Sequence, residues 1–217
     1  MIGMITTLTQ SYASAYRKQV HINELLAVHH EAVNASIAVV AQVKPDNLGR
    51  PTPCADWSLA DLLSHMTAQH HGFAAAARGH GSDHTAWQIH PLGQDPAAEY
   101  AKAAEDVLAA FAEPGVSQRS FHLPEFQPVS DFPAAQAISF HLIDYVVHGW
   151  DVARTLGLDY RLTPELAETA LRIALMVPDG DNRTEPGAAF GPALPSSDNT
   201  DPLRRILAIL GRSPDWR

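Results

Sequence analysis

Apolar positions at helical spacing, bounded by loop-forming residues, predict a mostly helical chain. The first such segment runs from Asn23 to Val43 and stops at the Pro-, Gly- and Asn-rich loop 44–53. A second begins at Ser58, which can cap a helix N-terminus while Asp61 returns the hydrogen bond. This helix is expected to end at Gly79, where a left-handed terminal residue is easily adopted.

Three further helices and a short terminal one follow. Residues Pro96 to Phe111 are alanine-rich and helical, whereas prolines among aromatic and β-branched residues in 116–133 predict an extended crossover. "DFPAAQ" opens a long apolar helix, Thr163-Pro164-Glu165 opens a fifth that ends near Met176, and "DPLRRILAILG" forms a short final helix. We therefore expect an all-α fold: a bundle of about four long helices with short accessory helices and a C-terminal tail.

The stretch "HLIDYVVHGWDVARTLG", residues 141–157, places polar side chains along one stripe of an otherwise apolar helix. The four that fall within an arc of roughly 80°, at about 100° per residue, are His141, Asp144, His148 and Asp151. A helix that is apolar on nearly every side is usually central. A solvated edge is the alternative interpretation, but a polar arc this narrow between apolar flanks is a poor solvent face.

Two residues of the stripe have metal-ligand spacing. Asp144 and His148 are four residues apart, so both side chains reach a common point above one helical turn. Two ligands on one helix do not complete a metal site, and a third must come from elsewhere. His65 is the best candidate because apolar neighbours surround it on the second predicted helix, and Gln69 one turn later can line the same cavity. A hydrogen-bonded core histidine is the alternative interpretation of His65.

Composition and charge narrow the class of protein. The 217 residues, of which 46% are hydrophobic and 18% charged, are typical of one globular domain. A net charge of −9 with no basic stripe disfavours nucleic acid as a partner. The single cysteine, Cys54, fits a reducing compartment. Because no apolar run resembles a signal peptide or a membrane span, we expect a cytoplasmic protein with no membrane partner, with residues 1–20 as an N-terminal extension and 21–217 as the domain.

Other polar residues allow two interpretations each. Cys54 precedes a helix N-terminus and can have a lowered pKa, although packing in a proline-flanked turn is favoured. Asp151 and Arg154 are candidates to support a metal ligand or to contact substrate, and an (i, i+3) ion pair on the helix surface explains them almost as well. The histidines expected on solvated surface are His29, His30, His70, His71, His80, His84 and His90.

Three separated motifs carry a family resemblance: "TPCADWSLADLLSHM", "HLIDYVVHGWDVARTLG" and the closing "AAFGPALP…DPLRRILAILGRSPDW". From about His21 onward, the chain resembles the mycothiol-dependent maleylpyruvate isomerase N-terminal-domain family of the DinB/YfiT-like metalloenzyme superfamily. The resemblance implies a four-helix bundle that holds a divalent metal through His65, Asp144 and His148, with zinc favoured and nickel, iron or manganese as alternatives. The isomerase has a glutamate where this chain has the shorter Asp144. It is also expected to carry an additional C-terminal domain for substrate binding, where this chain ends in a short proline-rich tail.

The ligand count and the resemblance together predict a metal-dependent enzyme that uses a low-molecular-weight thiol. Three protein ligands leave one coordination position open. A thiol such as mycothiol bound there becomes a nucleophile, which serves either a transferase or an isomerase acting on a small electrophile. Water in the same position would instead make a hydrolase. A non-catalytic module that binds a ligand or senses metal is the remaining alternative. The thiol, the substrate, the metal and the oligomeric state are left open.

Overall fold

The computed structural model describes residues 22–216, apart from positions 55, 127, 186–187 and 198–200. The predicted extension, residues 1–20, lies outside the described residues. The described part is mostly helical, as predicted. Its helices are α1 Ile22–Val40, α2 Leu59–Ala77, α3 Pro96–Phe111, α4 Ala134–Leu156, α5 Pro164–Met176 and α6 Pro202–Ile209, and its strands are β1 Ser120–His122 and β2 Asp131–Pro133.

Local capping fixes the ends of the helices that carry the site and its neighbours. Ser58 Oγ accepts from the Asp61 backbone N–H, and the Asp61 carboxylate accepts from the Ser58 N–H, so the predicted capping box of α2 is confirmed. Gly79 follows α2 with a φ of 86°, the left-handed region that glycine adopts without strain. Asp95 caps α3 and Thr163 caps α5. Each is followed by a proline, which has no backbone N–H group left to satisfy in the first helical turn.

The segment predicted as an extended crossover folds back on itself. Strands β1 and β2 pair antiparallel, with Phe121 opposite Phe132. The hairpin continues one step further, because the Leu123 N–H donates to the Ser130 carbonyl at 2.7 Å. The sequence missed this pairing since strands of three residues offer too few alternating positions to show a period of two. Strands β1 and β2 are extended as predicted, whereas Val116–Gln118 form a short 3₁₀ helix, and the hairpin is an addition to the all-α architecture.

Helix α4 is the centre of the bundle, with 18 of its 23 residues buried. Its most extensive interface is with α1, and it also packs against α2 and α5. The pairs in contact, in order along α2, are His65 with His148, Met66 with Tyr145, and His70 with His141. Because the α4 partner moves backwards as α2 advances, the two helices run antiparallel. None of the helices in the described ranges has the length and apolar character needed to cross a membrane.

Candidate metal centre

The three predicted metal ligands meet between α2 and α4. Ligand atoms of His65, Asp144 and His148 all lie within 4.8 Å of one another. His148 Nε2 is 3.3 Å from Asp144 Oδ1, and the rings of His65 and His148 meet edge-on with centroids 5.4 Å apart. Two imidazole nitrogens and one carboxylate oxygen form a donor set suited to zinc and its first-row neighbours. The residues present therefore fit a divalent metal.

Asp151 supports His148 from the side away from the other ligands. Its Oδ2 lies 3.0 Å from His148 Nδ1, and the side chain is fully buried. A histidine that gives one ring nitrogen to a carboxylate is held with the other nitrogen facing a metal. The predicted surface pair between Asp151 and Arg154 is wrong, because Arg154 Nε instead donates to the Trp216 carbonyl at 2.7 Å.

Arg212, which follows α6, is the cation that pairs with Asp151. Its Nε lies 3.2 Å from Asp151 Oδ1, and its Nη2 lies 3.3 Å from Asp151 Oδ2. Arg212 is only 6% exposed, so this is a buried ion pair. Sequence reasoning missed Arg212, because a partner 61 positions away leaves no local spacing signal.

The protonation of the ligands follows from these neighbours. Burial would lower the pKa of His148, but the carboxylates of Asp144 and Asp151 outweigh burial and raise the pKa to about 9. Burial lowers the pKa of His65 to about 4, and the adjacent His148 adds to that shift. Burial would raise the pKa of Asp144, yet the nearby His148 lowers it overall. Without a metal, the proton therefore lies on the His148 ring. A metal that binds His148 Nε2 must displace the proton from that nitrogen.

Cys54 lies close to the Asp151 carboxylate and the His148 ring. Burial raises the pKa of the thiol to about 11, and Arg212 offsets only part of that effect. The suggestion that Cys54 has a lowered pKa is therefore wrong. Cys54, His148 and Asp151 also place ligand atoms within 4.8 Å of one another, but Arg212 Nη2 lies 3.2 Å from Cys54 Sγ. The guanidinium thus contacts both Cys54 and Asp151, where a second cation would have to bind.

Two further side chains border the centre. The Trp57 ring lies 4.8 Å from the His65 ring and is stacked at 6.4 Å on the His148 ring, measured between centroids. Gln69, one turn after His65, donates Nε2 to Glu125 Oε2 at 3.4 Å. That Gln69 lines the same cavity as His65 stays a prediction. Glu125 gave no signal in the sequence, since it is a lone carboxylate in a proline-rich loop.

A second histidine cluster lies about one turn from the candidate ligands. His29 Nε2 is 2.8 Å from His141 Nδ1, and His141 Nε2 is 3.2 Å from His70 Nδ1. All three are at most 1% exposed, so the prediction that His29 and His70 lie on solvated surface is wrong. His29 and His70 each have a second histidine as the next residue, and it is that residue, His30 or His71, that is exposed. In a His-His pair the composition alone does not show which ring faces inward.

Burial sets the protonation of this cluster. It lowers the pKa of His29 to about 3, with His30 adding to the shift, and it lowers the pKa values of His70 and His141 well below 6.5. The cluster is therefore neutral at physiological pH. His141 belongs to this cluster. The predicted ligands His65, Asp144 and His148 come together without it.

The fold and this donor set define a helical bundle with a candidate divalent-metal centre between two antiparallel helices. The chain belongs to the mycothiol maleylpyruvate isomerase N-terminal domain family, whose model matches residues 29–153. The matched range includes His65, Asp144 and His148. Among its relatives are the uncharacterized proteins Rv0738 and MT0763 from two strains of Mycobacterium tuberculosis, each 30% identical over 193 residues that cover 87% of this chain and 97% of the relative.

Solved structures share the fold at low sequence identity. The crystal structure of the mycothiol-dependent maleylpyruvate isomerase superposes with a TM-score of 0.62 at 12% identity, covering 91% of this chain and 92% of the isomerase. A histidine-to-alanine mutant of that isomerase gives a TM-score of 0.65 at 13% identity over the same shares. The expectation that the isomerase carries an additional domain with no counterpart here is wrong, since the similarity extends over nearly its whole chain.

Proposed function

We propose that this protein is a metal-dependent enzyme that uses a low-molecular-weight thiol to isomerise or to modify a small electrophile. The observation that carries the proposal is the convergence of His65, Asp144 and His148 within 4.8 Å, in a member of a family named for a mycothiol-dependent isomerase. A divalent cation held by these side chains supplies the positive charge that keeps a thiol deprotonated near neutral pH. A mycothiol-like thiol and a small conjugated electrophile are the partners that this proposal names.

The surrounding residues fit this role. Asp151 and Arg212 fix the ring of His148, so its Nε2 faces the other two candidate ligands. Trp57 covers one side of the two imidazoles and limits the access of water there. Asp144 keeps 22% of its side chain exposed, which leaves an approach for a small molecule from the solvent side. The site is thus held rigidly on two helices and open on one side.

A two-substrate assay tests the proposal. The protein, purified without a metal-chelating tag, is assayed for the cis-to-trans isomerisation of maleylpyruvate and for thiol transfer to 1-chloro-2,4-dinitrobenzene, in each case with and without mycothiol. We expect at least one activity that requires both thiol and metal, that is lost in His148→Ala and that persists in the exposed control His71→Ala. Activity that survives chelation, or ester hydrolysis that needs metal but no thiol, would contradict the proposal, and the latter would favour the hydrolase alternative.

A further inference from the structure

Glu125 lies in the tight loop between β1 and β2, and its neighbours on both sides are anchored in the core. Leu123 is fully buried and is held to Ser130 by the backbone hydrogen bond that extends the hairpin. The Phe126 N–H donates to the Leu123 carbonyl at 3.2 Å, and the Phe126 ring stacks on Phe140 of α4 with centroids 5.1 Å apart. The backbone that carries Glu125 is therefore held in place by packing, which is unusual for an exposed carboxylate in a loop.

Both supports of this loop lie one helical turn from the candidate metal ligands. Gln69, which donates to the Glu125 carboxylate, follows His65 by four residues on α2. Phe140, the stacking partner in the loop anchor, precedes Asp144 by four residues on α4. Since α2 and α4 run antiparallel, Gln69 and Phe140 are displaced in the same direction from the candidate ligands. The displacement along the helix axes is about 6 Å. The loop that carries Glu125 thus lies against the turns of α2 and α4 that adjoin the turns of His65 and Asp144.

The electrostatic surroundings of Glu125 agree with this placement. The surrounding protein displaces water from the carboxyl and, with repulsion from Asp144, raises the pKa of Glu125 to about 7, while the Gln69 amide offsets part of the shift. The residue itself is exposed, which limits the size of this shift but not its direction. A carboxyl group whose pKa is raised above the ordinary glutamate range is suited to give up and take back a proton.

We propose that Glu125 is an acid–base residue of this site that transfers a proton to and from the carbonyl oxygen of a conjugated substrate; the inference rests on the proposed thiol-dependent function. The thiolate sulfur forms a bond to the β-carbon, the electron pair of the C=C bond shifts towards the carbonyl, and the oxygen takes the Glu125 proton to give an enol. After rotation about the new single bond, Glu125 takes the proton back, the double bond re-forms and the thiolate leaves. Protons and electrons balance without an oxidant.

The test compares Glu125→Gln with Glu105→Gln, an exposed glutamate on α3 that serves as the control. In Glu125→Gln, we expect kcat for thiol-dependent isomerisation to fall by about 10²-fold or more, with unchanged metal content. In Glu105→Gln, kcat should stay at the wild-type value. In Gln69→Met, loss of the amide donor should move the limb of the kcat–pH profile that reports Glu125 to higher pH, because the amide favours the ionised carboxylate. A purely structural role of the Gln69–Glu125 contact would lower stability without moving that limb.

A second readout does not depend on turnover. In the metal-free protein labelled with 13C at the glutamate carboxyl carbons, one signal should titrate above the ordinary glutamate pKa of 4.5, and it should be missing in Glu125→Gln alone. A Glu125 signal that titrates with the exposed glutamates, or a wild-type kcat–pH profile in a Glu125→Gln protein that still binds metal and thiol, would overturn this inference. Loss of thiol binding in the wild type would instead overturn the proposed function, so the two failures are distinguishable.

Discussion

The buried histidine cluster predicts how the stability of the fold depends on pH. His29 has a folded-state pKa of about 3, whereas an unperturbed histidine in the unfolded chain has a pKa of about 6.5. Below pH 6.5 the unfolded chain binds a proton at this residue that the folded protein does not bind. The contribution of His29 to stability is therefore fully present above pH 6.5 and is lost progressively as the pH falls from 6.5 towards the folded-state pKa of about 3.

The size of the effect follows from the two pKa values. Each unit of pH below 6.5 lowers the free energy of unfolding by about 1.4 kcal/mol per such histidine, so His29 alone accounts for a loss of about 2 kcal/mol between pH 7.5 and pH 5. His70 and His141 act in the same direction, because burial also lowers their pKa values. Against a typical domain stability of about 5–15 kcal/mol, a loss of this size is readily measured.

Urea denaturation at a series of pH values, followed by circular dichroism, tests this prediction with a matched pair of variants. His29→Gln removes the buried imidazole, and His30→Gln removes its exposed neighbour on the same helix. We expect His30→Gln to keep the wild-type dependence on pH. His29→Gln should lose about 2 kcal/mol less than the wild type between pH 7.5 and pH 5, whatever its stability at pH 7.5. Equal slopes in the two variants would refute the reasoning, since they would show that His29 titrates as a solvated side chain.

Three further predictions concern the candidate centre. Elemental analysis should find about one divalent ion per chain, which is lost in His65→Ala and His148→Ala and retained in His141→Ala; undiminished metal in the first two would exclude these ligands. Asp144→Ala should fold but bind metal at least about 10–100-fold more weakly in chelator competition, because its two remaining partners are neutral imidazoles; equal affinity would show that this carboxylate is not a ligand. Arg212→Met should lower the free energy of unfolding by about 3–5 kcal/mol, because it removes the guanidinium from a buried ion pair and leaves Asp151 with the His148 imidazole alone; a loss under about 1 kcal/mol in urea denaturation would contradict the buried pair.

The helices could be predicted from the sequence because their signals are local. Capping by Ser58 and by Thr163, each within three residues of the group it satisfies, fixed where α2 and α5 begin. The spacing of Asp144 and His148 is likewise local, so the paired ligands on α4 were readable. The first helix stops at Val40 rather than Val43, because the N–H groups of Gln42 and Val43 bond to the carbonyls three residues back, in turns tighter than those of an α-helix.

Features that depend on tertiary contacts could not be predicted in the same way. Arg212 and Glu125 lie far along the chain from the residues they contact, and neither belongs to a periodic pattern. The burial of His29 and His70 required knowledge of which face of α1 and α2 meets α4, which two adjacent histidines do not disclose. The stripe on α4 was predicted to face one way as a unit, but its members divide between two clusters, because α1, α2 and the C-terminal segment each meet a different part of it.

The most direct test of the central claim, that a metal held by His65, Asp144 and His148 binds a thiol, is a spectroscopic titration. Cobalt(II) substitutes for zinc in a mixed nitrogen and oxygen site and reports its ligands through colour, and bound thiolate adds an intense sulfur-to-cobalt charge-transfer band in the near ultraviolet. The cobalt protein is titrated with mycothiol and with simple thiols, with His148→Ala as the control for adventitious cobalt. The account predicts saturable growth of the band in the wild type alone. No band at any thiol concentration, with small carboxylates or hydroxamates still changing the visible spectrum, would contradict it.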